Sequence, residues 1–247
     1  MSASVLAPRS KLPYYVLAGL ALAIAWGLYA SGLATEILSY RKDIVYLTKQ
    51  HLVLVAISGA AAIVTGVSIG IWLSRPWMAR WAEGAIQAVN MVTSIPTLGK
   101  LALMMSLLGI GPLPAIVGLW IATLLPIIRN TYEGIRAVPP HLIDAARGMG
   151  MGPSAVLGRV EVPNALFVIF AGVRTAMAVN VGTAPIAFLI GGGGLGELIF
   201  TGIDLQQHGM MLAGAIPTAL IAVAVDFLFG QAQYWLVPRG VNPLRNS

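Results

Sequence analysis

The feature that most constrains this chain is the recurrence of long apolar runs along nearly all of its 247 residues. About 20 consecutive apolar residues carry a helix across the hydrocarbon layer of a bilayer. Six runs read as spans: Leu12 to Ala34, Leu52 to Ser74, Ala85 to Leu108, Leu113 to Ile128, Pro163 to Ile190 and Met210 to Leu236. Only 10% of residues are charged and 57% are hydrophobic, against roughly a quarter charged in a soluble domain. A water-soluble globule is excluded. The expectation is an all-α integral membrane protein with six transmembrane helices, the third kinked at Pro96, which removes a backbone donor that lipid cannot replace.

The first run follows Arg9 and Lys11, which suits either a cleaved secretory signal or a retained anchor. A signal core is roughly 7 to 15 residues long. This run is longer and more spans follow, which argues for a retained helix; cleavage near Gly32-Leu33-Ala34 is the alternative. The net charge of +6 then has a topological meaning. With the N-terminus inside, Arg9, Lys11, Arg75, Arg80, Arg136, Arg147, Arg159, Arg239 and Arg245 are cytoplasmic, while Arg41, Lys42 and Lys49 are outside. That asymmetry favours both termini in the cytoplasm. Trp72, Trp77 and Trp81 stand beside Arg75 and Arg80, where interfacial anchors belong; a ligand cage is the competing reading.

Motifs of catalytic appearance lack the context that chemistry needs. Gly66-Val67-Ser68-Ile69-Gly70 has the G-x-S-x-G spacing of a nucleophile elbow, but it lies inside an apolar span and reads as close helix packing. Gly191 to Gly196 satisfies G-x-G-x-x-G with no strand before it. No lysine is followed by Ser or Thr, so no P-loop exists. His51, His141 and His208 fall in separate loops or helix ends, and with no cysteine neither a thiolate metal site nor a disulfide is available. No catalytic residue, metal ligand or cofactor site emerges.

Polar residues in the spans point elsewhere. At about 100° per residue, Gln87, Asn90, Thr93, Ser94, Thr97 and Lys100 occupy roughly a 140° sector of the third helix. Such a stripe must meet protein or water, so it either lines a translocation path or hydrogen-bonds neighbouring helices. On the fifth helix Ala171, Thr175, Ala178 and Gly182 form a small-residue seam for close packing. Arg174 lies beside it as either a brace or a solute gate, and Asp226 is the clearest carboxylate within a span. Trp120 either packs between helices or offers its ring to a cation. Asn180 and Thr183 complete the path candidates.

The longest cytoplasmic segment runs from residue 137 to residue 163. Pro140 opens a helix whose apolar face is Leu142, Ile143 and Ala146, and the glycines from Gly148 to Gly152 break it. A second short amphipathic helix is expected from Pro153 or Ser154, stopping before Pro163. Such a unit lies on a bilayer or docks into a partner's groove.

Asp144-Ala145-Ala146, then Gly150, then Val160-Glu161-Val162-Pro163 resembles the "EAA" loop of binding-protein-dependent ABC importer permeases, with Asp in place of the first Glu. The likeness continues through Ile95-Pro96-Thr97, Leu107-Leu108-Gly109-Ile110-Gly111, Leu125 to Tyr132, Gly172-Val173-Arg174-Thr175 and Ile190 to Gly196, as in the osmoprotectant permeases that import glycine betaine, carnitine or choline. It weakens at the N-terminal helix and at Lys100. The resemblance implies a type I (MetI-like) permease core at 48-237, preceded by an N-terminal helix and outer loop at 1-47 and followed by a cytoplasmic tail at 238-247. It implies that Asp144, Ala145, Ala146, Gly150 and Pro163 couple to separate ABC ATPase subunits, and that Gly191, Gly193 and Gly196 face a soluble or lipid-anchored substrate-binding protein. A second permease, identical or paralogous, and a bacterial cytoplasmic (inner) membrane complete the picture, with no nucleic acid and no cofactor. The rival readings are the same architecture carrying an amino acid or oxyanion, an ion-driven secondary transporter, and a membrane hydrolase built on Ser68.

Overall fold

The computed structural model describes residues 19, 22, 23, 26, 27, 29–243 and 245. Most of the first predicted run lies outside these residues. Among the described residues the chain is helical: α1 (Leu33–Ser39), α2 (Arg41–Leu73), α3 (Ala82–Ser94), α4 (Thr97–Leu108), α5 (Pro112–Arg136), α6 (Pro140–Gly148), α7 (Pro153–Val156), α8 (Val162–Thr183), α9 (Gly196–Asp204) and α10 (His208–Leu236). Four segments are long and apolar enough to cross a membrane: α2, α5, the stretch from Pro153 to Ile190, and α10; α3 and α4 together make a fifth. The chain is thus a multi-pass membrane protein.

Helix α5 is the hub, packing against α2, α8, α4 and α3. Glycines allow those approaches. A methyl group at Gly66 would come within 2.8 Å of the Ile127 side chain, so the Gly66 to Gly70 stretch is a packing face, as its apolar setting predicts. Around this contact Leu54, Ala62, Leu119, Ile127, Ala176 and Val181 form a dry core.

Three expectations change. The third span is broken rather than kinked: α3 and α4 meet at 91°, with Ile95 and Pro96 both extended (ψ 132° and 142°). Proline drives the residue before it out of the helical region, so the chain leaves α3 and restarts in α4. Secondly, the helix beginning at Pro153 does not stop before Pro163. It widens into a π turn over Leu157–Glu161 and runs on into α8. The Asn164 side chain donates to the Val160 carbonyl at 2.7 Å, within the widened turn. Thirdly, the residues between the fifth and sixth apolar runs, to which the sequence reading assigns no helix, contain α9, which packs against α10.

The predicted seam on the fifth span also moves. The buried face of α8 is Ala165, Ile169, Gly172, Val173, Ala176, Met177, Asn180 and Val181. Gly172 is the close-approach point, its Cβ position 2.6 Å from the Pro126 carbonyl oxygen. Thr175 and Gly182 of the expected stripe are exposed and Ala171 and Ala178 half-buried, so that stripe is not the seam within this chain.

Candidate functional site

At the end of the bundle that the expected topology puts in the cytoplasm, helix α6 carries the residues that the resemblance assigns to coupling. Asp144 and Ala145 are exposed and Ala146 is buried, which is the division of faces that the amphipathic reading requires. Ile143 packs on Ile135, Val138, Ala165 and Ile169. Gly150 follows with φ of 83°, a left-handed position that glycine reaches without strain and that turns the chain into α7. Pro163 is the second residue of α8, half-buried and well away from the exposed face of α6 in sequence. Behind α6 and α7 a cavity of about 590 Å³ is walled by Arg75, Trp77, Arg147, Met151, Leu157 and Glu161, among others.

One contact there escaped the sequence reading. Arg75 Nη2 donates to Glu161 Oε2 at 2.6 Å, both side chains being largely shielded. The same guanidinium donates to Ser74 Oγ at 2.8 Å and, through Nε, to the Ile71 carbonyl at 3.2 Å. It therefore satisfies the C-terminal end of α2, where a cation is favoured. The opposite charges at 75 and 161 are too far apart in sequence for periodicity to link them.

The path candidates separate into two groups. Gln87, Asn90 and Ser94 are exposed on α3. Past the 91° break, Thr97 is half-buried at the start of α4 and Lys100 is buried at 5% exposure. The single polar sector assumed a continuous helix, and the break divides it. Lys100 Nζ donates to the Thr93 carbonyl at 3.0 Å, so it stitches α4 to a C-terminal carbonyl of α3 that has no helical partner.

The remaining candidates tie helices together. Trp120 Nε1 donates to Thr65 Oγ1 at 2.9 Å, joining α5 to α2. Asn180 is fully buried; its Nδ2 donates to Ser58 Oγ at 2.9 Å and its Oδ1 accepts from the same hydroxyl. Thr183 Oγ1 returns to the Val179 carbonyl within α8. Arg174 forms a bidentate pair with Asp226 of α10, Nε to Oδ1 and Nη2 to Oδ2, both 2.5 Å. About 41% and 42% of these two side chains remain open at the surface of the chain. Two opposite charges at similar depth in apolar spans were the signal that would have suggested this pairing.

At the opposite end, which the expected topology puts outside, Gly191 is exposed, Gly193 half-buried and Gly196 buried. Gln50 Oε1 accepts from the Gly194 N–H at 3.1 Å, and the Gly111 N–H donates to the Ile190 carbonyl at 2.9 Å, fastening this loop to α2 and to the α4–α5 turn. Gly196 lies so close to the Pro185 carbonyl that no Cβ fits. Beneath the loop sits His51, in the interior of α2 rather than in a loop, fully buried and with no well-formed hydrogen bond on either ring nitrogen.

Comparison with known proteins agrees with this architecture. The model of the family described as "Binding-protein-dependent transport system inner membrane component" matches residues 62–240. The osmoprotectant import permease protein OsmY of Salmonella typhimurium is 48% identical over 202 residues, 81% of this chain and 86% of that protein. The choline transport system permease protein OpuBB of Bacillus subtilis is 38% identical over 82% of this chain and 93% of its own length. Among solved structures, an inward-facing MetNI methionine ABC transporter superposes with a TM-score of 0.68 at 23% identity, covering 81% of this chain and 96% of that one. A match over most of the chain, to both the family model and these relatives, means that the chain belongs to the family of binding-protein-dependent transport system inner membrane components.

Proposed function

We propose that this chain is the permease subunit of an ATP-binding cassette importer that takes up a quaternary ammonium osmoprotectant such as glycine betaine, carnitine or choline. The observation that carries the reading is helix α6. It offers Asp144 and Ala145 outward, buries Ala146 and ends in the left-handed turn at Gly150, a rigid handle of the kind a partner's cleft can grip. The cargo class rests on relatives whose names specify osmoprotectants, choline, and glycine betaine with carnitine and choline.

In this reading six spans cross the bacterial inner membrane, five of them forming the core at 48-237, with both termini in the cytoplasm. Two permeases bracket a path, ATPase subunits grip α6 through Asp144, Ala145 and Gly150 while the buried Ala146 seats the helix on the bundle, and a binding protein delivers solute near Gly191 and Gly193. Gln87, Asn90 and Ser94 supply polar groups to the path. The exposed Arg174–Asp226 pair belongs on the same inner side, because ionisable groups at membrane depth face protein or water and not lipid. Lys100, Trp120 and Asn180 serve by holding α3 to α4, α5 to α2, and α8 to α2. ATP hydrolysis resides in the partner subunit, and closure of the ATPases moves α6.

The test is uptake of labelled glycine betaine, carnitine and choline by cells lacking this chain and by cells complemented with it. Uptake of at least one, lost on deletion and restored by the gene, is expected. Unchanged uptake of all three, with loss of an amino acid instead, overturns the cargo.

A further inference from the structure

We infer that the Arg75–Glu161 ion pair is the link that carries movement of the coupling helix into the α2–α3 corner, and that it sets how much transport each ATP hydrolysed yields. The inference rests on the permease reading above. Its starting point is placement. Glu161 ends the π turn through which everything between α6 and α8 must pass. Arg75 lies two residues past the end of α2 and leads, through the 3-10 turn Pro76–Met78, into α3 with its exposed Gln87, Asn90 and Ser94. Among the described residues this is the one ion pair that joins the coupling segment to the rest of the bundle; the other two lie within α5 and between α8 and α10.

The surroundings make the pair a mechanical joint. On one side of it lies the open cavity beneath Trp77, Met151 and Leu157, so the α6–α7 segment is held there by few other side chains. A π turn is a helix widened by one residue, a place where the regular i→i−4 hydrogen-bond ladder is interrupted. The segment before Glu161 therefore has freedom to rotate relative to α8. Glu161 itself does not share that freedom, because its carboxylate is held at 2.6 Å by a guanidinium already wired to Ser74 and to the Ile71 carbonyl. A push on α6 is consequently delivered to residue 75 as well as along the chain to α8. Without the pair, the π turn absorbs much of the push and α3 receives only what passes from Ile143 through Ile135 of α5.

The experiment uses the complete importer, purified with its ATPase and binding-protein subunits and reconstituted into liposomes. Radiolabelled glycine betaine uptake and ATP hydrolysis are measured together. Glu161→Gln and Arg75→Gln are each expected to lower solute moved per ATP by about tenfold while leaving basal hydrolysis within about twofold of wild type. The exchange Arg75→Glu with Glu161→Arg is expected to restore most of that ratio. A general structural role would instead lower uptake and hydrolysis in proportion, and that outcome, or an unchanged ratio in both single variants, overturns the link. If a single variant fails to assemble, the exchanged pair decides: a wild-type ratio supports the link and a ratio tenfold low removes it. A wild-type complex that moves no glycine betaine overturns the cargo instead. The link is then read from binding-protein stimulation of hydrolysis, which is kept in wild type and lost in both single variants if the link holds, and kept in all three if it does not.

Discussion

At the end of the molecule that the expected topology puts outside, Gly196 lies against the Pro185 carbonyl with no room for a Cβ, whereas around Gly148, Gly150 and Gly152, at the end it puts in the cytoplasm, the space is open. Both ends have short helices beside clustered glycines, α9 outside and α6 with α7 inside. In the outer cluster glycine is required by packing, since the loop is folded down onto α2, the 3-10 turn Ala184–Ile190 and the α4–α5 turn, and at Gly191, Gly193 and Gly194 by a left-handed φ as well. In the cytoplasmic cluster it is required at one position by backbone geometry, the left-handed Gly150, and elsewhere by nothing that a methyl group would disturb. The α6–α7 segment leaves its glycines clear of the bundle, whereas the segment at the other end is built into it.

Substitutions sharpen this contrast in descending order. Gly196→Ala forces a Cβ into a backbone carbonyl and is expected to cost about 3 kcal/mol or more, seen as a fall in the melting temperature of the purified protein or failure to recover it. Tolerance of that change would break the comparison. Gly150→Ala meets no atoms but must hold a left-handed φ, at a cost of about 1 kcal/mol. Its larger effect is expected on transport, with the permease still assembled in the membrane. Gln50→Ala removes the acceptor of the Gly194 N–H and is expected to cost about 1 kcal/mol, read as faster hydrogen exchange confined to the outer loop. Gly148→Ala, helical and surrounded by space, is expected to change stability by no more than about 0.5 kcal/mol or to raise it slightly. Loss of folding in that last variant would mean that the cytoplasmic end is as tightly packed as the outer one.

Much of this was legible in the sequence, and the reasons can be stated residue by residue. The coupling segment could be read because its signals are local: a proline at the start of α6, an apolar face, then glycines. The break at Pro96 was half legible. Proline and its neighbour specify that the helix is interrupted, but the 91° turn depends on α4 lying against α5, where Leu101 fits over Gly118. The polar sector failed at the same place, since helical periodicity holds only while the helix continues. Among the path candidates, Asn180 was drawn by its polarity alone. Its partner is Ser58, which lies 122 residues away.

The sequence by itself determined that this chain lives in a membrane, that its third span is interrupted at Pro96, and that an amphipathic helix opens at Pro140, because hydropathy, proline and glycine act over a few residues. Tertiary structure alone decided which charges meet, Arg75 with Glu161 and Arg174 with Asp226, and which face of α8 is buried. A guanidinium in an apolar span needs a counter-charge wherever the fold can bring one, and no local rule says from which helix it comes.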